Sequence, residues 1–151
     1  MSLALSTKAE NLLSSIRILV ADDYEGWRRQ ACLLLQARPE LQVICEASDG
    51  SEAVQKAEVL KPDLIFLDIG LPTLNGIEAA LQIRQRSPSS KIIFLSLDNS
   101  LDVVQEALST GVQGYVYKGR AQCDLLPAID AVLKGNQFLT NALKHLQYPY
   151  G

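Results

Sequence analysis

The chain is 151 residues long, 48% hydrophobic and 21% charged, with a formal net charge of -3. That is the make-up of one ordinary globular domain, with no room for a second of full size. The acidic balance gives no overall attraction to phosphate backbones and no basic recognition helix stands out, so nucleic acid is not an expected partner. No run approaches the roughly 20 apolar residues that cross a bilayer and no secretory leader opens the chain, so no membrane association is expected and the expected location is cytoplasmic.

Residues 1–15 read as an N-terminal tail or expression scar. The apolar run Ile18-Leu19-Val20-Ala21 predicts a first strand over 17–21, closed by Asp22 and Asp23. Trp27, Ala31, Leu34 and Leu35 then share one helical face. A second strand is predicted over 42–47, where Gln42 and Glu46 mark an edge. Asp49-Gly50 is a turn signal ahead of a helix whose apolar face is Ala53, Val54, Ala57 and Leu60.

The third strand, 64–68, is apolar up to Asp68, and Gly70, Pro72, Asn75 and Gly76 break the following segment into a loop. Ile77, Ala80 and Leu81 face inward from a third helix, and the strand at 91–96 ends in Ser96. The fourth helix, 101–108, intersperses Asp102, Gln105 and Glu106 along a thin apolar face, which predicts the least firm docking. A fifth strand, 114–117, precedes Lys118, and Leu125, Leu126, Ile129, Val132 and Leu133 form the face of the last helix. Cys32, Cys45 and Cys123 are scattered among aliphatic neighbours and read as small buried hydrophobes.

Strands one, three and four are apolar almost throughout, the mark of a parallel sheet covered on both faces. Right-handed crossovers then give a doubly wound, three-layer α/β sandwich with a five-stranded parallel sheet flanked by helices, binding its ligand beyond the carboxyl ends of the strands. Asp22, Asp23, Asp68, Ser96 and Lys118 all lie at such ends. Three carboxylates within about 5 Å repel by roughly 3 kcal/mol per pair at an effective dielectric of about 20, and a divalent cation relieves this. Oxygen donors without neighbouring His or Cys suit Mg²⁺ or Mn²⁺. A carboxylate beside such an ion can attack phosphorus to give an aspartyl phosphate, with an ammonium and a hydroxyl to neutralise the phosphoryl oxygens.

The motifs Val20-Ala21-Asp22-Asp23, Pro62-Asp63-Leu64-Ile65-Phe66-Leu67-Asp68-Ile69-Gly70-Leu71-Pro72, Asn75-Gly76, Phe94-Leu95-Ser96 and Gly111-Val112-Gln113-Gly114-Tyr115-Val116-Tyr117-Lys118 occur in this order. Together they resemble the receiver domain of two-component response regulators, from about residue 17 to about residue 135, with the flavodoxin-like fold of that family. The fifth-strand motif and Val132-Leu133-Lys134-Gly135-Asn136-Gln137-Phe138 are most similar to receivers of LuxR/NarL-type transcription regulators. Residues 16–135 are therefore expected to be the receiver, and 136–151 a C-terminal extension or the start of a linker, with no output domain in this chain.

The resemblance implies that Asp68 is the phosphoacceptor, taking its group from a histidine kinase. It implies Asp23 as a direct metal ligand, Asp22 as the holder of metal-bound water, and the Gly70 carbonyl as a further ligand. Lys118 would pair with the phosphoryl oxygens, Ser96 would donate its hydroxyl to one of them, and Tyr115 would be the switch aromatic that turns inward. The altered face of helix 4 and strand 5 would control an output that is transcriptional in a full-length protein. Homodimers would form through helices 1 and 5, or through helix 4, strand 5 and helix 5.

Gly119 departs from the proline many receivers carry after the lysine, which implies a looser loop, and Asp98 stands where receivers vary. His145 receives no role. Two other readings remain open: a phosphatase or phosphotransferase with an aspartyl nucleophile, against which Gly70 stands where a second acid is commonly needed, and a receiver-like interaction module that is never phosphorylated.

Overall fold

The structure, a computed structural model, describes residues 15–140. Six strands and five helices alternate along it: β1 (Ile16–Ala21), α1 (Glu25–Leu35), β2 (Leu41–Ala47), α2 (Gly50–Leu60), β3 (Leu64–Asp68), α3 (Gly76–Arg86), β4 (Lys91–Ser96), α4 (Leu101–Ser109), β5 (Gly114–Tyr117), α5 (Ala121–Leu133) and β6 (Phe138–Leu139). The strands form one parallel sheet in the order β2-β1-β3-β4-β5-β6. The order reverses between β1 and β3, which opens a crevice at their carboxyl ends.

The period of two along each strand divides the core. Ile18, Val20, Leu64, Phe66, Ile93, Leu95 and Val116 face α1 and α5, whereas Leu19, Ala21, Ile65, Leu67, Ile92, Phe94 and Tyr115 face α2, α3 and α4. Helix starts are written locally. Asp49 accepts the Glu52 amide at 2.8 Å and Asn75 accepts the Glu78 amide at 3.0 Å, satisfying donors that the first turn leaves open. α2 ends on Lys61, which is left-handed at φ 48°.

The sheet has six strands where five were expected. The sixth, Phe138–Leu139, pairs with Gly114 and Tyr115 in the stretch expected to lie beyond the domain. It is pinned by Thr140, whose amide donates to the Tyr115 carbonyl and whose hydroxyl accepts the Tyr117 amide at 2.8 Å. β2 is the edge foreseen for it. Leu60 and Leu81, assigned to buried faces, are exposed instead. Ala57 and Ala80 fill the inward positions of those helices, and the larger residues point away.

Cys123 is also exposed, and Cys32 and Cys45 are only partly buried. α4 buries Val104 and Ala107 and leaves Leu101 half exposed, in keeping with its thin face. Gly50 begins α2 rather than forming a free turn. It is required because a Cβ there would lie 1.7 Å from the Leu74 carbonyl oxygen, so the loop after β3 presses directly on the start of α2. No helix among the described residues is long and apolar enough to cross a membrane. His145 lies outside the described residues, as do residues 1–14 and 141–151.

Candidate functional site

Strand register assembles the site. Ala21 pairs with Leu67 across β1 and β3, so the next residues, Asp22 and Asp68, emerge side by side. Asp68 pairs with Leu95 across β3 and β4, which brings Ser96 alongside, and Ser96 pairs with Tyr117 across β4 and β5, which delivers Lys118. Asp22, Asp23, Asp68, Gly70, Ser96 and Lys118 consequently line one cleft of about 470 Å³, with Trp27 and Asp98 at its walls. Tyr115 lies behind it, wholly buried.

Lys118 is the electrostatic centre. Its ammonium is 2.5 Å from Asp22 Oδ2 and 3.5 Å from Asp68 Oδ1, and the residue is 5% exposed. Two buried acids therefore share one buried cation, an arrangement that is tolerated only because each charge finds a partner. The other oxygen of Asp22 accepts the Tyr24 amide at 2.9 Å, and the Asp22 carbonyl accepts from Arg28 Nη1 at 2.7 Å. Arg28 also pairs with Glu46 and so braces the β1 end against the edge strand.

Asp68 is less fully compensated. Burial holds its carboxyl above the usual carboxylate range, and the Asp22 charge adds to this, while Lys118 and the Gly70 amide hydrogen bond pull the other way. Its backbone is pressed from behind by Gly76, where a Cβ would lie 2.2 Å from the Asp68 carbonyl oxygen. Ser96 is buried; its oxygen accepts the Asp98 amide at 2.9 Å, and its side chain also interacts with the Tyr115 phenol. The Tyr115 phenol donates to the Asp98 carbonyl, so the ring already occupies the inward position. Burial pushes that phenol upward.

Asp22, Asp23 and Asp68 each offer an oxygen, and these atoms lie within 4.8 Å of one another. Three carboxyl groups against one ammonium leave an acidic excess, and the donors are hard oxygens. A small divalent cation such as Mg²⁺ or Mn²⁺ fits that set better than zinc. Asp23 is the exposed member, facing the solvent side from which an ion would arrive. The peptide after Lys118 is trans, and Lys118–Arg120 form a 3₁₀ turn leading into α5, so Gly119 lies in ordered structure. A Cβ at Gly119 would lie 2.4 Å from the Tyr117 ring.

Every residue singled out from the sequence for this pocket is thus in it or against it. One contributor was read only as core: Trp27, whose ring centroid is 5.0 Å from Lys118 Nζ. The available signal was its place on α1, four residues after Asp23, on the face that also looks toward the strand ends.

Residues 18–130 match the family model of the response regulator receiver domain. The chain is 36% identical over 126 residues to the nitrate/nitrite response regulator protein NarL of Escherichia coli, covering 83% of this chain and 58% of that protein. It is 32% identical over 132 residues to the transcriptional regulatory protein DegU of Brevibacillus brevis, covering 87% of this chain and 56% of the relative. The chain spans a little over half the length of these relatives. Among solved structures, a LuxR-family two-component response regulator from Aurantimonas sp. SI85-9A1 superposes with a TM-score of 0.82 at 30% identity, covering 87% of this chain and 94% of that one.

Proposed function

The chain belongs to the family of response regulator receiver domains, LuxR/NarL-like in character, and on that premise we propose that Asp68 accepts a phosphoryl group from a histidine kinase. One Asp68 oxygen attacks phosphorus. The P–N bond of the donor phosphohistidine breaks, a P–O bond to Asp68 forms, and the imidazole leaves with the electron pair and takes up a proton. The observation that carries this reading is the ammonium of Lys118 at 3.5 Å from Asp68 Oδ1, inside a three-acid cluster.

Asp22, Asp23, Asp68 and the Gly70 carbonyl would hold Mg²⁺ or Mn²⁺, with Asp22 acting through water. The ion supplies charge neutralisation for the phosphoryl oxygens. Lys118 exchanges its contact with Asp22 for one with a phosphoryl oxygen, and Ser96 turns its hydroxyl from Tyr115 to another phosphoryl oxygen. Because the Ser96 oxygen also accepts the Asp98 amide, and Asp98 accepts the Tyr115 phenol, any movement of Ser96 is felt in the β4–α4 loop and in β5.

That face, with α5, is where a changed partner surface or a homodimer would arise; the α1 and α5 face is the other candidate for self-association. In a full-length protein the output would be transcriptional, and the setting cytoplasmic. Gly70, two residues after the nucleophile, offers no general acid for repeated turnover, which favours a phosphoacceptor over a phosphatase.

The test is labelling by acetyl phosphate in the presence of Mg²⁺. Wild type should take up one base-labile, hydroxylamine-labile phosphoryl group, and Asp68→Ala none. Equal labelling of both proteins would defeat the assignment.

A further inference from the structure

Trp27 is the chain's single tryptophan. It sits on α1, and its indole lines the same cleft as the acids. The ring centroid lies 5.0 Å from Lys118 Nζ, while Asp22 Oδ2 and Asp68 Oδ1 meet the ammonium at 2.5 and 3.5 Å. With Lys118 almost wholly buried, hydration of the charge is replaced by two carboxylates and one π face. Trp27 packs against the aliphatic core under α1 and, in addition, turns a ring face to a cation.

The chemistry of the pocket makes that face matter. A divalent cation held at Asp23 and Asp68, with Asp22 engaged through water, would compete with Lys118 for the Asp22 and Asp68 carboxylates and would repel the ammonium as well. Among the described residues the indole is the ammonium's one partner that is not a carboxylate, and so the one a hard metal ion does not claim. It is a fixed point on which Lys118 can turn away from Asp22.

We propose that Trp27 is a positioning residue that holds the Lys118 ammonium beside Asp68 while the carboxylates are engaged elsewhere. This rests on the reading of Asp68 as phosphoacceptor. The indole touches no reacting atom; it acts through Lys118 and governs how often the ammonium is in place when phosphorus is attacked.

Two measurements test it. Phosphorylation by acetyl phosphate in saturating Mg²⁺ is compared for wild type, Trp27→Phe and Trp27→Leu. Phe should keep the rate within about threefold, and Leu should lower the rate at saturating donor by about tenfold with the half-saturating donor concentration unchanged. A Leu variant as fast as wild type, or a Phe variant as slow as Leu, overturns the proposal.

The second measurement needs no variant to fold. In metal-free wild type, the Lys118 Hε proton resonances should lie upfield of ordinary lysine positions because of the indole ring current, and ordinary positions overturn the proposal. If wild type accepts no phosphoryl group, the reading of Asp68 has failed, and the ring-current result still decides the placement of Lys118 by Trp27.

Discussion

The phenol of Tyr115 donates to the main-chain oxygen of Asp98, which ties a fully buried β5 side chain to the loop leaving β4. The loop is fastened twice more, by the Asp98 amide on the Ser96 hydroxyl at 2.9 Å and by the Ser100 amide on Asp98 Oδ1 at 2.8 Å. The second of these holds the Asp98 carboxyl below the usual carboxylate range. Strand, loop and candidate site therefore share one set of hydrogen bonds.

Tyr115→Phe removes one fastening and keeps the ring. Stability should fall by about 1 kcal/mol, the usual net worth of such a bond. Amide exchange at Asp98 and Ser100 should speed by about fivefold, the same energy expressed as an opening equilibrium. Exchange rates equal to wild type would mean that the phenol does not restrain the loop.

Burial holds the Asp68 carboxyl above its ordinary value, so the folded protein binds that proton more tightly than the unfolded chain does. Its contribution to stability is fully present below the unfolded-state pKa and is lost as pH rises through the folded-state value. At neutral pH the metal-free domain carries this cost, and Asp68→Asn should raise its stability. The same shift means that protons compete with cations at unusually high pH. Mg²⁺ affinity should weaken on acidification before the ordinary aspartate range of about 3.9 is reached. Calorimetric Mg²⁺ titrations across pH check the second point, and thermal melts without metal check the first.

Gly76 leaves no room for a methyl group against the Asp68 carbonyl oxygen. Gly76→Ala must displace backbone rather than a flexible side chain, at a cost of about 2 kcal/mol or more. Because the displaced atom belongs to Asp68, cation affinity should drop in a folded variant as well. Urea melts and a Mg²⁺ titration measure the two effects separately.

Thr140 supplies the acceptor for the Tyr117 amide through its hydroxyl. Thr140→Val keeps the shape and leaves that amide without a partner, which should cost about 1–3 kcal/mol. Thr140→Ser restores the hydroxyl and should recover most of the loss. A valine variant as stable as wild type would show that water replaces the bond without penalty.

The sheet and its site were legible because each signal was strong and local. Ile18 to Ala21, Leu64 to Leu67 and Ile92 to Leu95 are unbroken apolar runs, and each ends in a polar residue that a parallel sheet carries to one edge. β6 was not legible, since two residues following Asn136 and Gln137 make no run and their pairing depends on β5 and Thr140.

Leu60 and Leu81 misled because helical spacing counts apolar residues without weighing which of two neighbours the facing helix admits. α2 and α3 pack closely through alanines, and the leucines beside them are turned out. Gly50 looked like a turn residue because its neighbour Leu74, whose backbone requires it, is remote in sequence. Trp27 was hidden by its apolar face: an indole on a cation and an indole in a core leave the same trace in a helical pattern.

Asp22 and Lys118 touch across 96 positions of sequence. Closing so long a loop has an entropic cost that only the docked sheet can offset. During synthesis the acids therefore appear long before the ammonium that balances them. The pocket is completed only when β5 has joined the sheet, so an intact Asp22–Lys118 contact reports that β1, β3, β4 and β5 are assembled.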